Sequence, residues 1–247
     1  MGLFFMKYAL TFILLTIYSC GFTQRRYYFG SAFGFQQMAL NVRDNGNELL
    51  PINYSSPWPG YSGGQGGVFV HPKIALETGI YTVPYWQIVP IKRFSLNGAS
   101  SGLSTVSVPV TVAWNIFSVP FTRHIKLRVI ILGGISNFFV THKNSSGNGS
   151  LSFEVPQTVF ELKNQYSSKE SPAYFYRLYA GFQGEVLISN RVGIWFNKNF
   201  VVGGKEIFTT HIQYTLNGIS NTATVAATGG SKVTQIGIRY YFGSPLK

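Results

Sequence analysis

Residues Val106–Phe117 (VSVPVTVAWNIF) alternate in character at every step. Val106, Val108, Val110, Val112, Trp114 and Ile116 share one face; Ser107, Pro109, Thr111, Ala113 and Asn115 share the other. A period of two over this length specifies a β-strand, since a helix would scatter the apolar set around its axis. Pro109 has no N–H for a ladder, which predicts a bulge there. An apolar face this long must meet either a protein core or lipid.

The pattern recurs along the chain. In Ala173–Ile188, Tyr174, Tyr176, Leu178, Ala180, Phe182, Val186 and Ile188 oppose Arg177, Tyr179, Gly181, Gln183 and Glu185. Val192, Ile194 and Phe196 oppose Gly193, Trp195 and Asn197, and Ser189-Asn190-Arg191 reads as a hairpin turn that keeps Ile188 and Val192 on one face. In Val233–Phe242, Ile236, Ile238, Tyr240 and Phe242 oppose Gln235, Gly237, Arg239 and Tyr241. Ile125 to about Phe138, Tyr27–Phe35, Val68–Tyr81 and Phe208–Leu216 complete the set.

Composition chooses lipid over a core. Charged residues are 11% of the 247, against about 25% in a typical soluble domain. Aromatics reach 16%, and the 27 glycines outnumber the 20 Lys and Arg. Mean hydropathy is nevertheless only +0.13, too polar for a bundle of membrane helices. Strands that alternate apolar and polar residues dilute the mean in this way. The fold expected is all-β: an eight-stranded, antiparallel, up-and-down transmembrane β-barrel over residues 24–247, in the outer membrane of a Gram-negative bacterium. A soluble β-sandwich is the structural rival, and so aromatic an exposed face would make it aggregate.

Residues 1–23 read as a secretory signal peptide. Lys7 precedes the apolar run Tyr8–Tyr18, and Ser19, Gly21 and Thr23 are small residues suited to cleavage. Cys20, the single cysteine, excludes a disulfide within the chain and stands in a segment partly like a lipoprotein box. Downstream of residue 24 no apolar run is long enough for a second membrane helix.

The eight-strand count carries two conditions: a turn at His71-Pro72, and one long irregular strand over 192–216 broken at Gly203-Gly204. Two strands there would make nine. Residues 36–65, 82–102, 140–171 and 217–231, rich in Gly, Ser and Asn, read as long external loops; 71–73, 118–123 and 189–191 read as short periplasmic turns.

Several of these segments resemble the PorT-like outer-membrane β-barrel family. They are Ser107–Phe117 (SVPVTVAWNIF), Ile131–Ser136 (ILGGIS), Arg177–Val186 (RLYAGFQGEV), Tyr214–Asn221 (YTLNGISN) and Gln235–Phe242 (QIGIRYYF), in that order. The family usually has an acidic residue where Ser107 stands, and 198–212 fit its pattern poorly. The resemblance implies a barrel of OmpA or OmpX size and no common catalytic residue. The aromatic end of the last strand also resembles a barrel-assembly signal.

Charge bears on partners. The net charge is +12. The basic residues are scattered and no nucleic-acid motif is present, so nucleic acid is not an expected partner. Arg25, Arg26, His71, Lys73, Arg123, His124 and Arg191 all fall near the periplasmic end. There they would flank the apolar band or meet anionic lipid and lipopolysaccharide. The external loops are candidates for binding a protein partner. Lys126, Arg128, Arg177 and Arg239 point inward by parity, with Glu77 and Glu185 as partners. A lumen of this size is filled by side chains, so its charges must pair. The two readings are a plugging salt-bridge network and a narrow anion-favouring pore.

For chemistry, His142-Lys143-Asn144-Ser145 resembles the His-x-Ser spacing of an outer-membrane lipid A deacylase, with Asn144 where that enzyme has serine. His71, His124, His142 and His211 are too far apart in sequence for a metal motif. The expectation is a non-enzymatic barrel without cofactor or metal, with an interaction or structural role. The alternatives are a narrow pore, a barrel component of a secretion or uptake system, or a lipid-modifying enzyme.

Overall fold

In the computed structural model, residues 26–47, 60–90, 97–143, 151–155, 158–167, 172–202 and 206–243 are described. The segment read as a signal peptide, with Cys20, lies outside them. The described residues form eleven strands: β1 (Tyr27–Asp44), β2 (Tyr61–His71), β3 (Ile74–Pro90), β4 (Asn97–Pro120), β5 (Ile125–Lys143), β6 (Leu151–Val155), β7 (Thr158–Ser167), β8 (Tyr174–Ile188), β9 (Val192–Val202), β10 (Glu206–Leu216) and β11 (Ile219–Phe242).

Eight of them close a barrel in the order β1-β2-β3-β4-β5-β8-β9-β11, and β11 returns to pair with β1 from Tyr27↔Phe242 to Gln36↔Val233. All neighbours are antiparallel. Closure removes the edges of the eight-stranded wall, so its backbone needs no water to satisfy its hydrogen bonds. That is the condition for spanning a bilayer. Phe29, Phe33, Ile80, Val112, Trp114, Phe182, Ile194, Phe196 and Ile238 are exposed around the circumference. The opposite parity is buried, as the alternation requires: Tyr28, Glu77, Ser107, Gln183, Trp195 and Arg239 line the lumen. The chain is therefore an outer-membrane-type barrel with an apolar outer wall and a polar, filled interior.

The hairpin at His71-Pro72 is present, with β2 ending at His71 and β3 starting at Ile74. The second condition fails. Residues 192–216 form two strands, not one, yet the barrel still has eight. The reason lies in β11, which is longer than a membrane crossing needs (24 residues). Its C-terminal half, Ser231–Tyr240, pairs with β9; its N-terminal half, Ile219–Thr228, pairs with β10. So β10 never enters the closed wall. It continues the sheet beyond the wall, followed by β7 and then by β6 at the edge.

The long loops are corrected in the same way. β1 runs on to Asp44, β3 to Pro90 and β5 to Lys143, while β4 begins at Asn97. Residues 217–231 belong to the β10–β11 hairpin, turned by Asn217 and Gly218 at positive φ (50° and 80°). Ser, Asn and Gly in these stretches mark strands with no lipid face to satisfy. Pro109 makes no bulge. On its β3 side, ladder partners resume in the same register on either side of it (Thr78↔Val110, Tyr81↔Ser107), and Thr78 Oγ1 donates to the Pro109 carbonyl at 2.8 Å. The missing N–H interrupts the ladder without shifting it.

The three short turns (72–73, 121–124 and 189–191) and both ends of the wall lie at one end of the barrel, here the terminal end. The strand extensions and the β10-β7-β6 sheet lie at the other, the far end.

Candidate functional site

The barrel interior is the candidate site, and it has three levels. Nearest the terminal end, aromatic and aliphatic side chains close the lumen: Tyr28, Phe69, Ile130, Leu132, Leu187 and Tyr241 form one buried cluster. Threaded through it is an ion-pair network. Arg239, from β11, reaches Glu77 of β3 at 3.2 Å and Glu185 of β8 at 3.4 Å; Arg128 of β5 meets Glu185 at 3.4 Å. Tyr28 donates to Glu77 and Tyr241 donates to Glu185. The Arg239 guanidinium also lies 4.7 Å from the Tyr28 ring centroid and 5.1 Å from that of Trp195. Buried charges of this kind are tolerable only when paired and hydrogen-bonded. Both carboxylates here have an arginine and a phenol. Gly193 keeps room for this: a Cβ there would collide with Glu185 Oε1.

Of the six residues expected to form a lumenal network, the structure joins Arg128, Glu185, Arg239 and Glu77. Lys126 has inward parity but is half-buried at the rim, and it forms no ion pair among the described residues. It sits opposite Pro120 and Leu187, beside the last turn, where water reaches it. Arg177 is deeply buried but lies away from the network, eight residues up β8 from Glu185, a rise of about 26 Å along the strand.

Arg25 lies outside the described residues; Arg26 lies at the terminal end, as expected, but does not face outward. It turns into the barrel mouth, donates to the Asn190 carbonyl, and stacks 4.4 Å from the Tyr241 ring centroid. His71, Lys73, Arg123, His124 and Arg191 do lie at that end and are exposed. His142 is exposed near the end of β5, and 144–145 lie outside the described residues.

The middle level is a polar cavity of about 40 Å³, lined in part by Gln65, Thr111, Ser136, Tyr179, Asn197 and Gln235. At roughly 10–15 Å³ per water centre this holds a few waters. Above it lies a second apolar cluster, including Tyr61, Val83, Tyr85, Leu103, Phe138 and Val233, with Ile207 of β10 packed into it. Arg177 enters here. Its guanidinium faces the rings of Tyr85, Phe138 and Phe175 at 5.1, 5.6 and 5.2 Å. Phe138 and Phe175 stack on each other, 4.8 Å apart and 9° from parallel.

Sequence reading misses this aromatic cage. Tyr85 stands in a stretch that reads as loop; the available signals are that Phe175 carries the same inward parity as Arg177 and Phe138 the same inward parity as Arg128. Tyr28 is missed as well, although its parity on β1 matches the inward set.

The class is thus defined: the chain is a small outer-membrane β-barrel with a plugged lumen. No family model and no curated protein sequence matches it. Among solved structures, the outer membrane protein OprG from Pseudomonas aeruginosa aligns over 91% of this chain and 99% of its own, at 12% identity and a TM-score of 0.50. The outer membrane protein AlkL aligns over 92% of this chain and 95% of its own, at 13% identity and a TM-score of 0.40. The outer membrane protease OmpT from Escherichia coli aligns over 89% and 97%, at 9% identity and a TM-score of 0.29. At such identities the likeness to OprG is one of fold.

Proposed function

We propose that this chain is a non-enzymatic, non-conducting barrel that anchors an interaction surface at its far end. One observation carries the reading: the lumen is closed by paired charges and packed rings, while the sheet continues past the wall into β10, β7 and β6. A closed lumen removes the passage, and an added sheet with an edge strand supplies a place for a partner chain to pair. Membrane barrels begin and end in the periplasm, which sets the far end outside the cell. The exposed His71, Lys73, Arg123, His124 and Arg191 then face anionic headgroups at the inner leaflet. Kinship with PorT-like barrels belongs to this reading and is supported by the order of the segments quoted above.

The test has two arms. Full-length protein in a planar bilayer should show no discrete conductance steps; regular steps would overturn the closed-lumen reading. A chain lacking 151–167 should still fold, seen as a mobility shift on boiling in SDS, and should lose the phenotype of the intact chain. A deletion that folds and changes no phenotype would overturn the interaction surface.

The second reading, a narrow pore, rests on four lumenal arginines facing two glutamates, and the bilayer recording decides it.

A further inference from the structure

Arg177 is 3% exposed, and its charge has no counter-charge among the described residues. Each carboxylate whose side chain is described is engaged elsewhere. Glu77 and Glu185 belong to the network near the terminal end, and Glu77 also borders the terminal-end side of the central cavity. Asp44 accepts from Tyr214 and from the Gly46 N–H; Glu206 is exposed and accepts from Thr209. The three rings around Arg177 attract a cation through their faces, but they do not cancel its charge.

The free edge of the guanidinium borders the central cavity. Nη1 donates to Ser231 Oγ at 3.4 Å, and Nη2 has no partner among the described residues. Gln36 Nε2 donates to the same Ser231 oxygen at 3.4 Å. Ser231 Oγ therefore receives two donors, which leaves its own O–H to donate. Gln235 Nε2, another cavity-lining donor, has no partner either among the described residues. Arg177, Ser231 and Gln235 are all at least nine-tenths buried. A guanidinium N–H and a hydroxyl thus meet at one end of this cavity, beside a positive charge that has no counter-charge among the described side chains.

We propose that this end of the cavity is a binding site for one small monovalent anion, a halide or a short carboxylate, held inside the barrel by Arg177 and Ser231. Water could satisfy the hydroxyl, but an anion also neutralises the guanidinium, which no described side chain does. The cavity volume limits the ligand to a few heavy atoms. The site is independent of the interaction role: it needs neither a partner nor a conducting lumen.

Chloride NMR line broadening tests it, on the full chain refolded in zwitterionic detergent. Folding of every variant is checked by the mobility shift on boiling. The expected result is saturable broadening by the wild type that is lost in R177M and weakened by about tenfold in S231A, the value of one charge-assisted hydrogen bond. Formate should compete if the site prefers a carboxylate; failure to compete assigns it to halides. R177K keeps the charge and loses the fork, so it should bind more weakly than wild type and more tightly than R177M. It also serves as the test should R177M not fold. Wild-type broadening no greater than that of R177M or of empty micelles would overturn the proposal. Bromide-soaked crystals should show an anomalous peak within hydrogen-bond distance of Arg177 Nη2; a peak only on the outer surface would overturn it.

Discussion

Arg239 and Arg177 are both arginines buried in the same lumen, and they are handled in opposite ways. Arg239 stands between Glu77 and Glu185, and each of those carboxylates is held by a tyrosine as well. Arg177 is wrapped by Tyr85, Phe138 and Phe175 and touches no carboxylate among the described residues. In the first case, removing the cation leaves Glu77 with no arginine and Glu185 with Arg128 alone. In the second it strands nothing, and it relieves the desolvation of a lone charge. The same residue type is therefore a structural keystone near the terminal end and a dispensable cation near the far end. The difference lies in what would remain after its loss.

The largest effect should come from Arg239→Met. Breaking a buried pair costs about 3–5 kcal/mol, because the partner charges stay behind. Reversible urea unfolding of the full chain in lipid vesicles measures it. Adding Glu77→Gln to that variant should recover part of the loss. A double variant no better than the single would show that stranded charge is not the cause.

Next in size is Gly193→Ala. Its Cβ would push on Glu185 Oε1, displacing the carboxylate shared by Arg128, Arg239 and Tyr241. Overpacking of this kind costs about 1–3 kcal/mol. Gly184→Ala is the control: it lies on the outer wall, and nothing stands within 4 Å of the place its methyl would take. If both variants unfold at the same urea concentration, the network is less tightly packed than its geometry indicates.

Arg177→Met should change stability by less than about 1 kcal/mol in halide-free buffer, because lost cation–π attraction and relieved desolvation oppose each other. A cost equal to that of Arg239→Met would break the comparison outright. The smallest effect is Lys126→Gln at the rim, within about 0.5 kcal/mol in the same unfolding assay.

How much of this was legible in the sequence differs by level. Inward parity placed Arg128, Arg177, Arg239 and Glu185 on the lumenal face, because a strand has only two faces and lipid claims one of them. Parity could not say which inward groups meet. Arg239 and Glu77 are 162 positions apart and touch only because closure sets β11 and β3 across one narrow lumen. Arg177 and Glu185 share a strand face yet sit too far apart along it. The cage was hidden for another reason. Tyr85 lies in a stretch whose Ser, Asn and Gly content suggested a loop, and strand pairing overrode that signal.

The sequence by itself determined the alternation, the hairpins at 71–74 and 189–191, and the lipid-facing set, since these depend on local period and turn chemistry. The tertiary structure alone decided that 192–216 is two strands in an eight-stranded barrel. β11 changes partner from β9 to β10 midway along its length, and no local pattern in a strand records which neighbour it pairs with. The same holds for charge: strand parity showed an excess of lumenal basic residues, and only packing decided which arginine met its carboxylates and which lies among aromatic rings.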